Sequence, residues 1–133
     1  MQRTIAAVRV LCLCLVWACG DDDLTEADRL GVGAECTRDD DCLREGDDGI
    51  NLACLTQFKG GYCGVEDCDS NDDCPEASAC VAHEDGNNYC FRSCAEKVEC
   101  NVNRNADDEA NCSSNVDYVE DDATGKSCVP PSG

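Results

Sequence analysis

Twelve of the fifteen cysteines fall into three successive groups of four: Cys36, Cys42, Cys54 and Cys63; Cys68, Cys74, Cys80 and Cys90; Cys94, Cys100, Cys112 and Cys128. Each group opens with a Cys-x5-Cys interval, and the later intervals vary. Thiols clustered in this way can pair with one another or bind a metal as thiolates. Zinc sites favour short Cys-x2-Cys pairs with histidines, whereas this array has no such pair and the chain holds a single histidine, His83. The even number instead predicts disulfides that consume every thiol of the array.

Elements must hold these cysteines close. The groups start at residues 36, 68 and 94, a spacing typical of an array of small modules. Modules of about 30 residues are too small to fold on apolar burial alone. Cross-links contributing about 2–4 kcal/mol each substitute for the missing core. The expected fold is a small disulfide-rich one, with three tandem four-cysteine modules at residues 34–65, 66–91 and 92–129. Each is a polar loop stapled to a short β-hairpin, with little other regular structure. Turn chemistry places the first hairpin at 53–58 and 62–63 around Lys59-Gly60-Gly61, and the second at 79–83 and 89–91 around 84–88. It places the third at 116–119 and 127–129 around 121–125. Four cysteines allow three pairings. First with third and second with fourth is preferred, because crossed bridges pin both ends of the opening loop to the hairpin. The tail, residues 130–133, reads as disordered.

The other three cysteines, Cys12, Cys14 and Cys19, lie in one hydrophobic stretch behind Arg3 and Arg9, the pattern of an export signal over residues 1–18. Its apolar part, Val10 to Ala18, is far shorter than the roughly 20 residues of a membrane-spanning helix. Export suits the disulfides, which persist outside the reducing cytosol. The sequence Val16-Trp17-Ala18-Cys19 resembles the lipobox of bacterial lipoproteins, although Trp17 stands where a small or aliphatic residue is usual. That resemblance implies cleavage before Cys19, acylation of Cys19 and, with Gly20 next, delivery to the outer membrane. Two acyl chains, at about 0.8 kcal/mol per buried methylene, hold a protein firmly. The alternative cut, after Ala18-Cys19-Gly20 and before Asp21, releases a soluble secreted protein. Residues 19–33, with Asp21-Asp22-Asp23, Glu26 and Asp28, read as an acidic tether.

Twenty-nine acidic residues face ten basic ones, a formal charge of −19 that becomes −21 when Arg3 and Arg9 leave with the signal. This argues against nucleic acid and anionic lipid surfaces, which recruit Lys and Arg clusters, and favours cations or a basic partner. Calcium is the cofactor to consider, since Asp69-x-Asn71-x-Asp73 begins like a calcium loop. Cys74 then occupies the place of the turn glycine and Cys80 that of the bidentate glutamate, so the segment is not an EF-hand. Asp69, Asn71 and Asp73 remain candidates for a weak calcium site of other geometry, against their reading as solvated charges.

Without Trp17 the aromatics are Phe58, Tyr62, Tyr89, Phe91 and Tyr118, too few for a core of ordinary size. Each module has one tyrosine. Tyr62, Tyr89 and Tyr118 could together form an exposed contact stripe for a protein or glycan partner, or each could pack on its own disulfides. His83, beside Glu84 and Asp85, reads as an exposed polar residue near a hairpin tip. No serine or cysteine has the setting of an activated nucleophile, and a glycosidase-type carboxylate pair needs a desolvating cleft. No enzymatic activity is expected.

An acidic residue precedes the second cysteine of every module, as Asp41, Asp73 and Glu99. With the run from Cys68-Asp69-Ser70-Asn71-Asp72-Asp73-Cys74-Pro75 through Cys80, Cys90 and Cys94, the arrangement over residues 33–128 resembles the Dickkopf N-terminal cysteine-rich region. It is also similar to cysteine-rich repeats of bacterial surface lipoproteins. The resemblance implies a lipid-anchored, extracytoplasmic, non-enzymatic interaction or structural module at the cell surface, meeting a protein or glycan partner. Such spacing is shared with toxins and inhibitors. A soluble knottin-like inhibitor or ligand, and a weak calcium-dependent adhesive scaffold, are the alternatives.

Overall fold

The computed structural model describes residues 31–42 and 49–133. The signal segment, Cys12, Cys14, Cys19 and the tether as far as residue 30 lie outside the described residues. Three hairpins organise the rest. Strands β1 (Ala53–Cys54) and β2 (Cys63–Gly64) form the first, and β3 (Ser78–Ala82) and β4 (Asn88–Arg92) the second. The third pairs β5 (Asn111–Ser113) with β7 (Ser127–Val129). A single-turn helix, α1 (Lys97–Cys100), occupies the opening loop of the third module.

In all three hairpins the third and fourth cysteines stand opposite each other: Cys54 and Cys63, Cys80 and Cys90, Cys112 and Cys128. Each is bonded not to the cysteine it faces but to one of the opening loop. The bridges are Cys36–Cys54 and Cys42–Cys63, Cys68–Cys80 and Cys74–Cys90, Cys94–Cys112 and Cys100–Cys128. This is the crossed pairing expected from the sequence, and it fixes both ends of each loop to adjacent strands.

The third hairpin departs from expectation. Val116–Val119 does not fold back on Ser127–Val129. Its centre, β6 (Asp117–Tyr118), joins the second module instead, with Tyr118 opposite Val81 and Asp117 opposite Ala82, giving a sheet of order β4-β3-β6. The physical reason is twofold. Cys112 must face Cys128, so the polar triplet Asn111–Ser113 takes the strand position, and Val116 and Tyr118 are freed to cover the core.

That core is shared between modules. Leu52, Leu55, Phe58 and Tyr62 of the first meet Val81, Tyr89 and Phe91 of the second, all buried, with Val116, Tyr118 and Val129 of the third packed against them. Phe58 lies edge-on to Tyr62, Tyr89 and Phe91, at centroid separations of 6.2, 5.1 and 5.7 Å. Few aromatics therefore suffice, because they are pooled into one cluster in the edge-to-face geometry that rings favour.

The tail is ordered, contrary to the sequence expectation. Pro131 accepts a hydrogen bond from the Lys59 N–H at 2.9 Å, Gly133 donates to Gln57 O at 3.0 Å, and Ser132 bridges antiparallel to Phe58. Exposed backbone along 57–59 offers a ladder edge, and the tail satisfies it. Val32 and Gly33, the end of the expected tether, are likewise buried, with Gly33 N–H on Cys63 O at 2.9 Å.

Candidate binding surface

The abundant carboxylates divide into those that hold the fold and those that do not. Asp41 Oδ2 accepts from Thr37 N–H at 2.9 Å, Thr37 Oγ1 at 2.9 Å and Arg38 N–H at 3.2 Å. Asp73 Oδ2 does the same for Asp69 N–H at 2.8 Å and Ser70 N–H at 3.1 Å, and Glu99 Oε2 for Ala95 N–H at 2.6 Å and Glu96 N–H at 3.0 Å. The acid before each second cysteine is thus a cap. It turns the Cys-x5-Cys loop back on itself by satisfying the backbone donors of the first turn. The N–H and hydroxyl of Thr37 hold the Asp41 carboxyl below the usual aspartate range, against some burial.

A second staple joins loop to hairpin. Three residues beyond the first cysteine, Asp39 Oδ1 accepts the N–H of Cys54 at 2.9 Å, and Asn71 Oδ1 accepts that of Cys80 at 2.9 Å. In the third module Lys97 takes that place, and Asn101 Oδ1 holds Ala110 N–H at 2.8 Å instead. The phrase Asp69-x-Asn71-x-Asp73 that resembles a calcium loop therefore spends Asn71 Oδ1 and one oxygen of Asp73, Oδ2, on backbone N–H groups. Among the described residues, the groups of three or more metal-ligating side chains with converging atoms are cysteine sulfurs, as in Cys68, Cys74 and Cys90, and all of these are in disulfides.

The tyrosine stripe is not formed. Tyr62 and Tyr89 are fully buried. Tyr118 is half-buried, with its hydroxyl 3.2 Å from Ser127 Oγ. Tyr62 and Tyr89 pack on other rings both within and across modules, Tyr62 on Phe58 and Phe91 and Tyr89 on Phe91 and Phe58. Burial pushes the Tyr62 hydroxyl up to about 12, opposed by the Arg92 N–H that it accepts and by the Arg104 charge. Nor is His83 an exposed polar residue. Its side chain is 9% exposed, with the ring 5.3 Å from Phe58 and 5.7 Å from Tyr89. Nδ1 lies 3.3 Å from Asp85 Oδ1, and Tyr89 Oη donates to Asp85 Oδ2 at 2.8 Å. Burial raises the Asp85 pKa, but the Asn87 N–H, the Tyr89 hydroxyl and His83 outweigh it and hold the carboxyl below its ordinary value.

Beside this histidine the surface is concave. A cleft of about 480 Å³ opens between the end of β3 and the tail, with Ala82, His83 and Val116 against Pro130 and Pro131. Glu84 and Asp117 stand at it, exposed, their carboxylates without a hydrogen bond or ion pair among the described residues. A second hollow of about 440 Å³ continues past His83 and Ser132 to Gln57 and Asp85, sharing Glu84. Half-apolar depressions with a few convergent polar groups are the usual form of binding sites. Sequence reasoning missed this one because its walls come from three separate stretches, 81–84, 113–117 and 129–132, joined by the β3–β6 pairing and the docked tail. No protein-family model, curated protein or solved structure matches the chain.

Proposed function

We propose that the protein is a non-enzymatic interaction module displayed outside the cytoplasm on a lipid attached to Cys19. The observation that carries this reading is that all twelve cysteines beyond Cys19 are consumed in six disulfides. Cys19 is the cysteine left over next to the array, and it closes the lipobox-like Val16-Trp17-Ala18-Cys19. Cross-linked, acidic and compact, the body suits an oxidising exterior. The resemblance to cysteine-rich bacterial surface lipoproteins supports the same assignment. Binding rather than catalysis is favoured because the one imidazole is packed edge-on among aromatic rings and engaged by Asp85.

The test is the intact mass of the native protein, with thiol alkylation before reduction. The expected mass begins at Cys19, carries acyl chains and gains no alkyl group, and Cys19→Ala releases the protein from the membrane fraction. A mass beginning at Asp21 would make it a soluble secreted inhibitor or ligand. Alkylated thiols would overturn the closed array and restore metal binding as a use for its sulfurs.

A further inference from the structure

The six described basic side chains are all engaged within the protein. Arg38 pairs with Asp41, Lys59 with Asp108, and Lys97 with Glu109. Arg92 donates to Glu99 O, Lys126 to Ala95 O, and Arg104 to four backbone carbonyls. None lines the cleft beside His83 or the hollow that continues it. In contrast with Asp41, Asp73 and Glu99, the two carboxylates at the cleft, Glu84 and Asp117, have no internal partner among the described residues.

We infer that this cleft receives a lysine- or arginine-bearing segment of a protein partner, with the cation between Glu84 and Asp117 and its aliphatic stem along Val116, Pro130 and Pro131. Both acids line this one cleft: Asp117 stands opposite Ala82 at the end of β3, and Glu84 lies in the turn that follows, closed by the Gly86 N–H on His83 O at 3.0 Å. Long basic side chains are amphipathic, with a methylene stem and a charged head, which matches an apolar wall ending in free carboxylates. Complementary charge also speeds encounter with such a partner and repels acidic ones. The walls are pre-set, since His83 and Asp85 are fixed by Tyr89 and the tail by Lys59 and Gln57. Little ordering is then needed on binding.

The inference rests on the reading of the protein as a binding module, but its test is independent of the anchor. The mature exported protein, labelled with 15N in neutral detergent micelles, is titrated with acetylated lysine-alanine-lysine amide, and with the glutamine-alanine-glutamine analogue as control. The expected result is saturable amide shifts confined to residues around Glu84, Val116, Asp117 and Ser132, absent with the control. Glu84→Gln and Asp117→Asn, which leave the spectrum of the folded protein otherwise intact, each weaken binding at least five-fold, while Asp121→Asn with Asp122→Asn leaves it unchanged. Shifts spread over all acidic segments without saturation, or undiminished binding by the two variants, would overturn the proposal. So would the same residues responding to neutral chitotetraose and not to the lysine peptide, which would give the cleft to a glycan. A response to protein concentration alone would give it to a second copy. A failed titration on a protein whose mass shows acylated Cys19 defeats the cleft assignment and leaves the anchor standing.

Discussion

Arg104 reaches back across forty-three residues to donate from Nη1 to the carbonyl of Gly61 at 2.8 Å. Its other donors take the carbonyls of Gly33, Lys59 and Asp108 at 3.1, 2.8 and 2.8 Å, and its guanidinium lies 5.8 Å from the centroid of the Tyr62 ring. One side chain of the third module therefore closes the glycine turn of the first. The desolvation this entails lowers the Arg104 pKa, with Glu35, Tyr62 and Asp108 opposing. Guanidinium suits the task because its donors fan out in a plane, which a lysine ammonium does not reproduce.

Replacing Arg104 with Ala should therefore lower stability by about 3 kcal/mol, because several half-buried carbonyls lose a charged donor at once. Arg104→Lys should recover less than half of that. Equilibrium denaturation in guanidinium chloride, with the disulfides kept oxidised, measures both; a loss below about 0.5 kcal/mol for Ala would show that water replaces the clamp.

Gly61 is the turn residue that admits no side chain. Its φ is +70°, and a Cβ there would stand 2.0 Å from Cys36 O. Left-handed backbone alone costs a non-glycine residue about 1–2 kcal/mol, and the clash with backbone adds to it. Gly61→Ala should abolish or severely reduce oxidative refolding to the six-bridge species, as read by alkylation and mass. Gly86→Ala, also at positive φ but with open space around its Cβ, should refold with only a modest loss.

The acid caps make a pH prediction with a definite sign. Asp41 has a folded pKa below its unfolded value, so the stability it contributes is present above the unfolded pKa and lost as pH falls through the folded one. Asp41→Asn should thus melt below the parent at pH 6, and the gap in Tm should narrow as the pH is taken below the ordinary aspartate value of about 3.9. A gap that stays constant would mean that the carboxylate charge is irrelevant to the cap. Exposed Asp72→Asn is the control for general charge relief.

At alkaline pH the sign reverses. Tyr62 ionises near 12 when folded and near 10 when unfolded, so its neutral form favours the native state below about 10 and that contribution is lost as pH climbs toward 12. Absorbance at 295 nm should show its phenolate appearing only above pH 11, in step with loss of structure. Tyr62→Phe removes that step, and it leaves the Arg92 N–H without its acceptor, at about 1–3 kcal/mol.

What could be read from the sequence is what is local. Cysteine intervals gave the modules, and the glycines at 60 and 61, with the repeat of the same form around Cys80 and Cys90, gave two hairpins. The third was misplaced because Asn111–Ser113 has no strand propensity, while Val116–Val119 does. A rule present in the first two modules would have found it: the hairpin forms where the third and fourth cysteines face each other. Asp41, Asp73 and Glu99 were visible as a recurrence, but a carboxylate that will cap a turn and one that will bind calcium look alike until the neighbouring N–H groups are placed. The buried tyrosines, packed His83, docked tail and cleft all depend on contacts between modules, which no spacing within a module encodes.

The clamp of Arg104 on the Gly60–Gly61 turn, and of Pro131 on Lys59, bears on biosynthesis. A chain made from its amino end presents the first module long before residues 104 and 131 exist, so the earliest module is the last to be completed. Cys36–Cys54 and Cys42–Cys63 can close early, but the carbonyls of Gly61 and Lys59 stay open to water until residue 104 arrives, and the N–H of Lys59 until residue 131 does. Bridge formation and conformational maturation are therefore separable in time. An isomerase would have a window in which to correct mispaired thiols before the late residues lock the first loop in place.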